Sequence, residues 1–208
     1  MTRLLHISAS PRDEASEGLV LAEAFLDEVR STRPDMTIST WDLWDGTLPP
    51  FGPLAAAGKM EIFAGREPSG EMVAAWDAVK AAFERFADAD VYLFSVPMWN
   101  HTIPYILKQL IDVVSQPGMV FGFDPVTGYT GLLTGKRAFT IYTGAVWGPG
   151  LPDSFGHDFQ QPYLRDWQTW AGLEVVEEIR FQPNLVASDV DAARETARKA
   201  AVTAVNYL

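Results

Sequence analysis

Apolar positions along this chain repeat with two different periods. Short, nearly continuous apolar runs at residues 4–7, 91–96 and 137–143 predict buried strands. A weaker run at 37–43 and another within 173–181 predict two more. Between them the spacing lengthens. Leu19, Ala22, Phe25, Leu26 and Val29 fall on one face of a helix over residues 17–30. Met72, Trp76, Val79, Phe83 and Phe86 step by alternating fours and threes, the clearest helical signal in the chain. A helix opening at Pro104 would bury Leu107, Leu110, Ile111 and Val114, with proline tolerated in its first turn. Residues 159–171 predict a helix with Phe159, Tyr163, Trp167 and Trp170 on one side, and an alanine-rich helix closes the chain at 190–207. Residues 45–69 read as a long Pro- and Gly-rich connection carrying Phe51, Met60, Ile62 and Phe63. Residues 115–136 read as irregular or hairpin-like, and 144–157 as a glycine-rich loop.

Strands alternating with helices imply a parallel sheet covered by helices on both faces, joined by right-handed crossovers. Five such strands without a dinucleotide fingerprint give an α/β fold of flavodoxin-like order 2-1-3-4-5, formed by residues 1–208 as one domain.

The 208 residues carry a net charge of −11, which speaks against nucleic acid or an anionic membrane as partner. There is no cysteine, which excludes disulfides, thiolate catalysis and cysteine-ligated clusters and fits a reducing compartment. The first residues lack the apolar core of a signal peptide, and no apolar run reaches bilayer length, so a cytoplasmic location is expected.

Several chemistries are missing. Gly131 and Gly135 stand too close for a phosphate-binding P-loop, and Arg137 stands where a magnesium-binding hydroxyl is needed; a turn before the fourth strand is the reading. No nucleophile elbow is present, and His6, His101 and His157 lack metal-ligand spacing, so no metal is expected. His6 falls inside a strand, as a structural imidazole. No side chain stands out as an acid or base with a ready partner, which leaves room for a cofactor to carry the chemistry.

Three segments leave the carboxyl ends of strands one, three and four, where open α/β sheets bind ligands. Ser8, Ser10 and Ser16 precede a helix. They suit a phosphate beside free N–H groups, or Ser16 is a simple N-cap. Arg12 adds positive charge there, whereas Asp13, Glu14 and Glu17 oppose an anion unless they point away. In the SVPMWNH run at 95–101, Asn100 can donate and accept at the edge of a heteroaromatic ring, with Trp99 and His101 flanking it. Alternatively, Pro97 and Asn100 build a turn and Trp99 is core. The small residues Thr143, Gly144, Ala145 and Val146 permit a close backbone approach, or form an ordinary turn.

With the IPYILK run at 103–108, the GLLTGK run at 131–136, the QPYL run at 161–164 and the Gly172, Leu173 pair, these segments resemble the FMN-dependent NADH-azoreductase family, flavodoxin-like relatives of the NAD(P)H quinone oxidoreductases. The similarity extends over nearly the whole chain, and its most specific part is the PMWN segment. The resemblance implies an enzyme that moves reducing equivalents from NADH or NADPH through FMN to quinones or azo compounds by a ping-pong cycle. It implies a homodimer with the flavin near the partner subunit. Ser8 and Ser16, with the backbone of Glu17 and Gly18, would hold the phosphate, and Ser10 of the same loop would also bind the cofactor. Pro97, Met98, Trp99, Asn100 and His101 would line the ring, and Thr143, Gly144, Ala145 and Val146 would meet its pyrimidine side. Trp99, His101, Phe121 and Phe155 are candidates to shape the substrate slot for small aromatic acceptors, or are packing residues, since aromatics often fill cores. Two departures stand out: Gly18 replaces a serine usual in the family, and the Thr143 to Val146 segment replaces Ser-Arg-Gly-Gly. The competing expectations are a flavodoxin-like electron carrier without substrate turnover and a cofactor-free hydrolase.

Overall fold

The computed structural model describes residues 2–208. Its core is a five-stranded parallel sheet made of β1 (Arg3–Ser8), β2 (Thr37–Asp42), β3 (Val91–Pro97), β6 (Arg137–Thr143) and β7 (Glu174–Phe181), in the order β2-β1-β3-β6-β7. That is the expected order once two short strands, β4 (Phe121–Asp124) and β5 (Gly128–Gly131), are counted; they pair antiparallel as a separate hairpin.

Alternation along each strand feeds two apolar layers. Leu4, Val91, Leu93, Phe139, Ile141, Ile179 and Phe181 pack under α1 (Glu17–Thr32) and α6 (Val190–Ala204). Leu5, Ile7, Tyr92, Phe94, Val96, Ala138 and Tyr142 pack on the other face, with α3 (Met72–Ala87), α4 (Tyr105–Val114) and α5 (Gln161–Ala171). The stepping residues of α3 behave as their spacing requires: Trp76, Val79 and Phe86 are buried. Lys136, in the turn before β6, donates to the carbonyls of Ala87 and Ala89, where a cation meets the free carbonyls at the end of α3.

Two expectations need correction. The connection at 45–69 is not irregular throughout, because it contains α2 (Pro53–Phe63). Pro53 sits in the first turn, the alanines that follow favour a helix, and buried Ala55 and Gly58 let α2 lie close on Trp76 of α3. Phe159 is not helical. The Asp158 carboxylate accepts the Gln160 and Gln161 N–H groups, so α5 starts at Gln161 and the Phe159 ring stays exposed.

Candidate functional site

The carboxyl ends of β1, β3 and β6 converge as the strand order requires. A cavity of about 140 Å³ is lined by Ser10, Arg12, Ser16 and Glu17 from the first segment, Pro97, Met98 and Trp99 from the second, and Thr143, Gly144 and Ala145 from the third, with Asn184 beyond β7. Backbone bonds lock the segments together. The Ala9 N–H donates to the Ser95 carbonyl at 3.1 Å and the Met98 N–H to the Thr143 carbonyl at 2.7 Å. Asn184 and Leu185 donate to the carbonyls of Gly144 and Ala145, strapping the third segment to the chain after β7.

Ser16 is the N-cap of α1, its hydroxyl accepting the Leu19 N–H at 3.4 Å. Capping and ligand binding are compatible here, because the N–H groups of Glu17 and Gly18 open the helix and have no intrahelical acceptor. Ser10 accepts the Arg12 N–H and is buried; Ser8 is buried beneath the loop, and its carbonyl takes the Leu43 N–H. Gly18 is buried, and a Cβ there would stand 3.5 Å from the Thr143 hydroxyl, in ordinary contact. The Glu17 carboxylate is turned to Arg194 of α6 in a two-pronged pair at 2.8 and 3.0 Å.

Under this floor lies His6. Its Nε2 is 2.8 Å from the Ser95 hydroxyl, and burial pushes its pKa down to about 4, so the imidazole is neutral at ordinary pH. This is the structural imidazole expected from the sequence.

The second segment is a tight hairpin. Trp99 and Thr102 exchange both backbone hydrogen bonds, at 2.8 and 3.0 Å, and the two residues between them are left-handed: Asn100 with φ 48 and His101 with φ 71. Two positive φ values in a two-residue loop are the demand of a type I′ turn, which asparagine meets at low cost. Asn100 therefore builds the turn, the second of its two readings. It is exposed and faces a different, larger cavity.

That larger cavity, about 670 Å³, lies on the other side of Trp99 and is bordered by Phe51, Asn100, Tyr105, Lys108, Asp112 and Tyr163 among others. Trp99, half-buried rather than core, is the wall shared by both cavities. Its ring lies 5.7 Å from Trp44 and 6.1 Å from Tyr105, while the Trp44 indole donates to the Ala9 carbonyl at 3.1 Å. The aromatic group thus joins the serine loop to the hairpin. The connection at 45–69, through Phe51, and the aromatic helix, through Tyr163, both reach this cavity.

Six expected site residues line neither cavity: Ser8 and Gly18, both buried, and four more. The His101 ring packs on Gly156, whose φ of 92 and lack of a side chain make room for it. Val146 is exposed. Phe155 is exposed in a short 3-10 turn. Phe121 is buried in the hairpin against Tyr129 and Trp170, because the alternation of β4 points it at α5. Aromatic side chains in glycine-rich loops carry no directional signal, so sequence alone could not separate these from Trp99.

Other contributors were missed. Arg180 of β7 bonds Asp158 at 3.0 Å and Gln182 at 2.8 Å; Gln182 donates to Gln160, which donates to the Val96 carbonyl. This chain of polar contacts holds the start of α5 and the end of β7 against the end of β3. Trp44 follows the end of β2, so the strand-end rule could have found it; nothing in the sequence pairs Arg180 with Asp158.

A family model for the flavodoxin-like fold matches residues 2–205. The FMN-dependent NADH:quinone oxidoreductase of Ruegeria pomeroyi is 42% identical over 204 residues, covering 98% of this chain and 100% of that protein. That of Desulfotalea psychrophila is 38% identical over 195 residues, covering 94% and 90%. Among solved structures, an azoreductase from Bacillus anthracis superposes with a TM-score of 0.87 at 24% identity, covering all of both chains. An FMN-dependent NADH-azoreductase from the same species, solved with FMN, gives 0.87 at 21% identity, covering 100% and 99%. At such identities the superpositions speak for the fold. The chain belongs to the flavodoxin-like fold family and, within it, is a relative of the proteins named FMN-dependent NADH:quinone oxidoreductase.

Proposed function

We propose that this protein is an FMN-dependent oxidoreductase that passes reducing equivalents from NADH or NADPH to quinones or azo compounds. The observation that carries the reading is the convergence of the three strand-end segments on one cavity at the start of α1, in a chain 42% identical to a protein of that name.

The residues fit the cofactor. Ser10, Ser16 and the first N–H groups of α1 suit a phosphate monoester, with Arg12 beside them. Pro97, Met98 and Trp99 on one side and Thr143, Gly144 and Ala145 on the other offer flat, uncharged walls to a ring system. At about 140 Å³ the cavity is smaller than the roughly 300–1,000 Å³ of an ordinary ligand pocket, so these walls enclose part of a nucleotide and leave the rest open to solvent or to a partner. We extend the proposal to a cytoplasmic homodimer in which a second subunit closes that open side.

When bound, FMN would supply the reversible redox chemistry. The protein's own residues bind, orient and shield. The flat walls set the ring's plane, and Trp99 shapes the approach. No side chain here is placed as an acid or base. Donor and acceptor would take turns at one opening, which gives ping-pong kinetics. A pure electron carrier needs no second hollow, and the 670 Å³ cavity beside Trp99 favours substrate turnover.

The test is to reconstitute the protein with FMN, record its visible spectrum, and measure NADH oxidation with a soluble quinone. Bound flavin and parallel double-reciprocal lines are expected. Flavin uptake without quinone-dependent turnover would indicate the carrier, and no flavin uptake would end the reading.

A further inference from the structure

An acidic residue in the first turn of α1 is at odds with an anion site. Glu17 lines the small cavity beside Ser16 and Arg12, where a phosphate monoester would bring close to two negative charges. Its carboxylate does not stand free. Arg194 reaches it from α6, 177 residues away in sequence, through Nε to Oε2 at 3.0 Å and Nη2 to Oε1 at 2.8 Å. This is the fork geometry that fixes both oxygens at once. Arg194 is itself held in place. It also pairs with Asp191, one turn earlier on α6, and its guanidinium lies 5.6 Å from the Phe181 ring at the end of β7. The Phe181 carbonyl accepts the Gly144 N–H, so the arginine is tied to the third segment of the site as well.

Resting on the reading of this cavity as the FMN site, we propose that Arg194 is a positioning residue for FMN affinity. It neutralises Glu17 and holds the carboxylate away from the phosphate. With the pair intact, the first turn of α1 presents N–H groups, serine hydroxyls and Arg12 to the anion. With the pair broken, a free carboxylate shares the cavity with the phosphate. Two like charges a few ångströms apart repel in water, and more strongly where solvent is partly excluded. The contribution is specific to phosphate, because the flavin ring carries no charge there for Glu17 to repel.

The experiment titrates apoprotein with FMN and with riboflavin, following quenching of flavin fluorescence. For Arg194→Met, FMN affinity should fall on the order of tenfold at about 0.1 M salt, with riboflavin affinity unchanged. The FMN loss should shrink at about 1 M salt, where the screening length is only about 3 Å. Adding Glu17→Gln to Arg194→Met should restore FMN affinity to within about twofold of the wild type. Arg194→Lys, which keeps one charge, should lose less than Arg194→Met. Equal losses for FMN and riboflavin, an unchanged FMN affinity in Arg194→Met, or no recovery in the double variant would each overturn the proposal. Glu17→Gln alone gives an independent check if Arg194→Met folds poorly. FMN affinity should hold or rise, and a selective fall would mean that the carboxylate itself assists binding and the proposal is wrong. A wild-type protein that binds neither flavin would remove the FMN reading and this inference together; one that binds both without preferring FMN would remove this inference alone.

Discussion

At the serine-loop end of the cavity, most contacts are made between near neighbours: Ser10 takes an N–H two residues on, and Ser16 takes one three residues on. At the aromatic end the contacts bridge distant parts of the chain. Gln160 reaches Val96 across 64 positions, and Arg180 reaches Asp158 across 22. The difference sets what each end can select. A helix start with its own caps forms whenever α1 forms, and it favours negative charge. The aromatic end takes its shape only after β7, the 153–160 loop and β3 have docked, and it offers flat walls without charge. The first should tell FMN from riboflavin; the second should bind both alike.

The largest test of that division is Arg180→Met. Its side chain and that of Asp158 are 25% and 13% exposed, so the substitution leaves a mostly buried carboxylate without its cation. A loss of about 2–3 kcal/mol in unfolding free energy by urea titration is expected, somewhat below the range for fully buried pairs. FMN and riboflavin should weaken together. A selective loss of FMN would show that the two ends are not independent.

His6 lies under both ends, and its effect comes through pH. The folded protein keeps it neutral down to about pH 4, whereas the unfolded chain protonates it near its ordinary value of 6.5. The unfolded state therefore binds the extra proton in that window, and stability falls as pH drops from 6.5 to about 4, by up to about 1.4 kcal/mol per unit. His6→Gln should flatten that part of the profile. Unfolding free energies measured at intervals from pH 7 to 4 in both proteins would decide it, and equal slopes would mean that His6 is not the group responsible.

The same contrast explains what could be read from the sequence. The helices α1, α3 and α4 and the serine loop rest on periodicity and local caps, which short windows of sequence contain, and the sheet order follows from the rule for alternating strands and helices. β6 was legible to the residue for the same reason: seven positions of strand-like pattern between a glycine turn and a glycine loop. α2 was hidden because its alanines give no amphipathic stripe, and only Trp76 of another helix explains why Ala55 and Gly58 are buried. Asn100 keeps both readings, ring edge and turn, in the sequence, because the backbone angles that commit it to a turn are invisible in a residue list. The pairing of Glu17 with Arg194 resolves a conflict that the sequence exposed but could not settle.

Asn100 offers a smaller test at the aromatic end. Asn100→Ala places a side chain that cannot bond locally at φ 48 and should cost about 1 kcal/mol of stability. Asn100→Gly keeps the turn and removes the amide. If the side chain serves the turn alone, the glycine variant should match the wild type in both flavin affinities. A loss of affinity in Asn100→Gly would return the amide to the ring.

The smallest expected effect tests the serine-loop end by adding to it. Gly18 sits in the first turn of α1, and a Cβ there would lie 3.5 Å from Thr143 Oγ1 and 3.7 Å from Ser16 Oγ, distances that need no rearrangement. Gly18→Ser therefore places a third hydroxyl near the free N–H groups without crowding the floor. One added hydrogen bond to a phosphate contributes about 1 kcal/mol, or about fivefold in FMN affinity, and nothing to riboflavin. Replacing glycine in a helix should also raise unfolding stability by a few tenths of a kcal/mol with or without ligand. The two effects separate cleanly, because the helical gain appears in the apoprotein and the phosphate gain only in the difference between FMN and riboflavin. If Gly18→Ser tightened both flavins equally, the serine-loop end would be contributing shape rather than reading charge, and the division between the two ends would fail where it is most local.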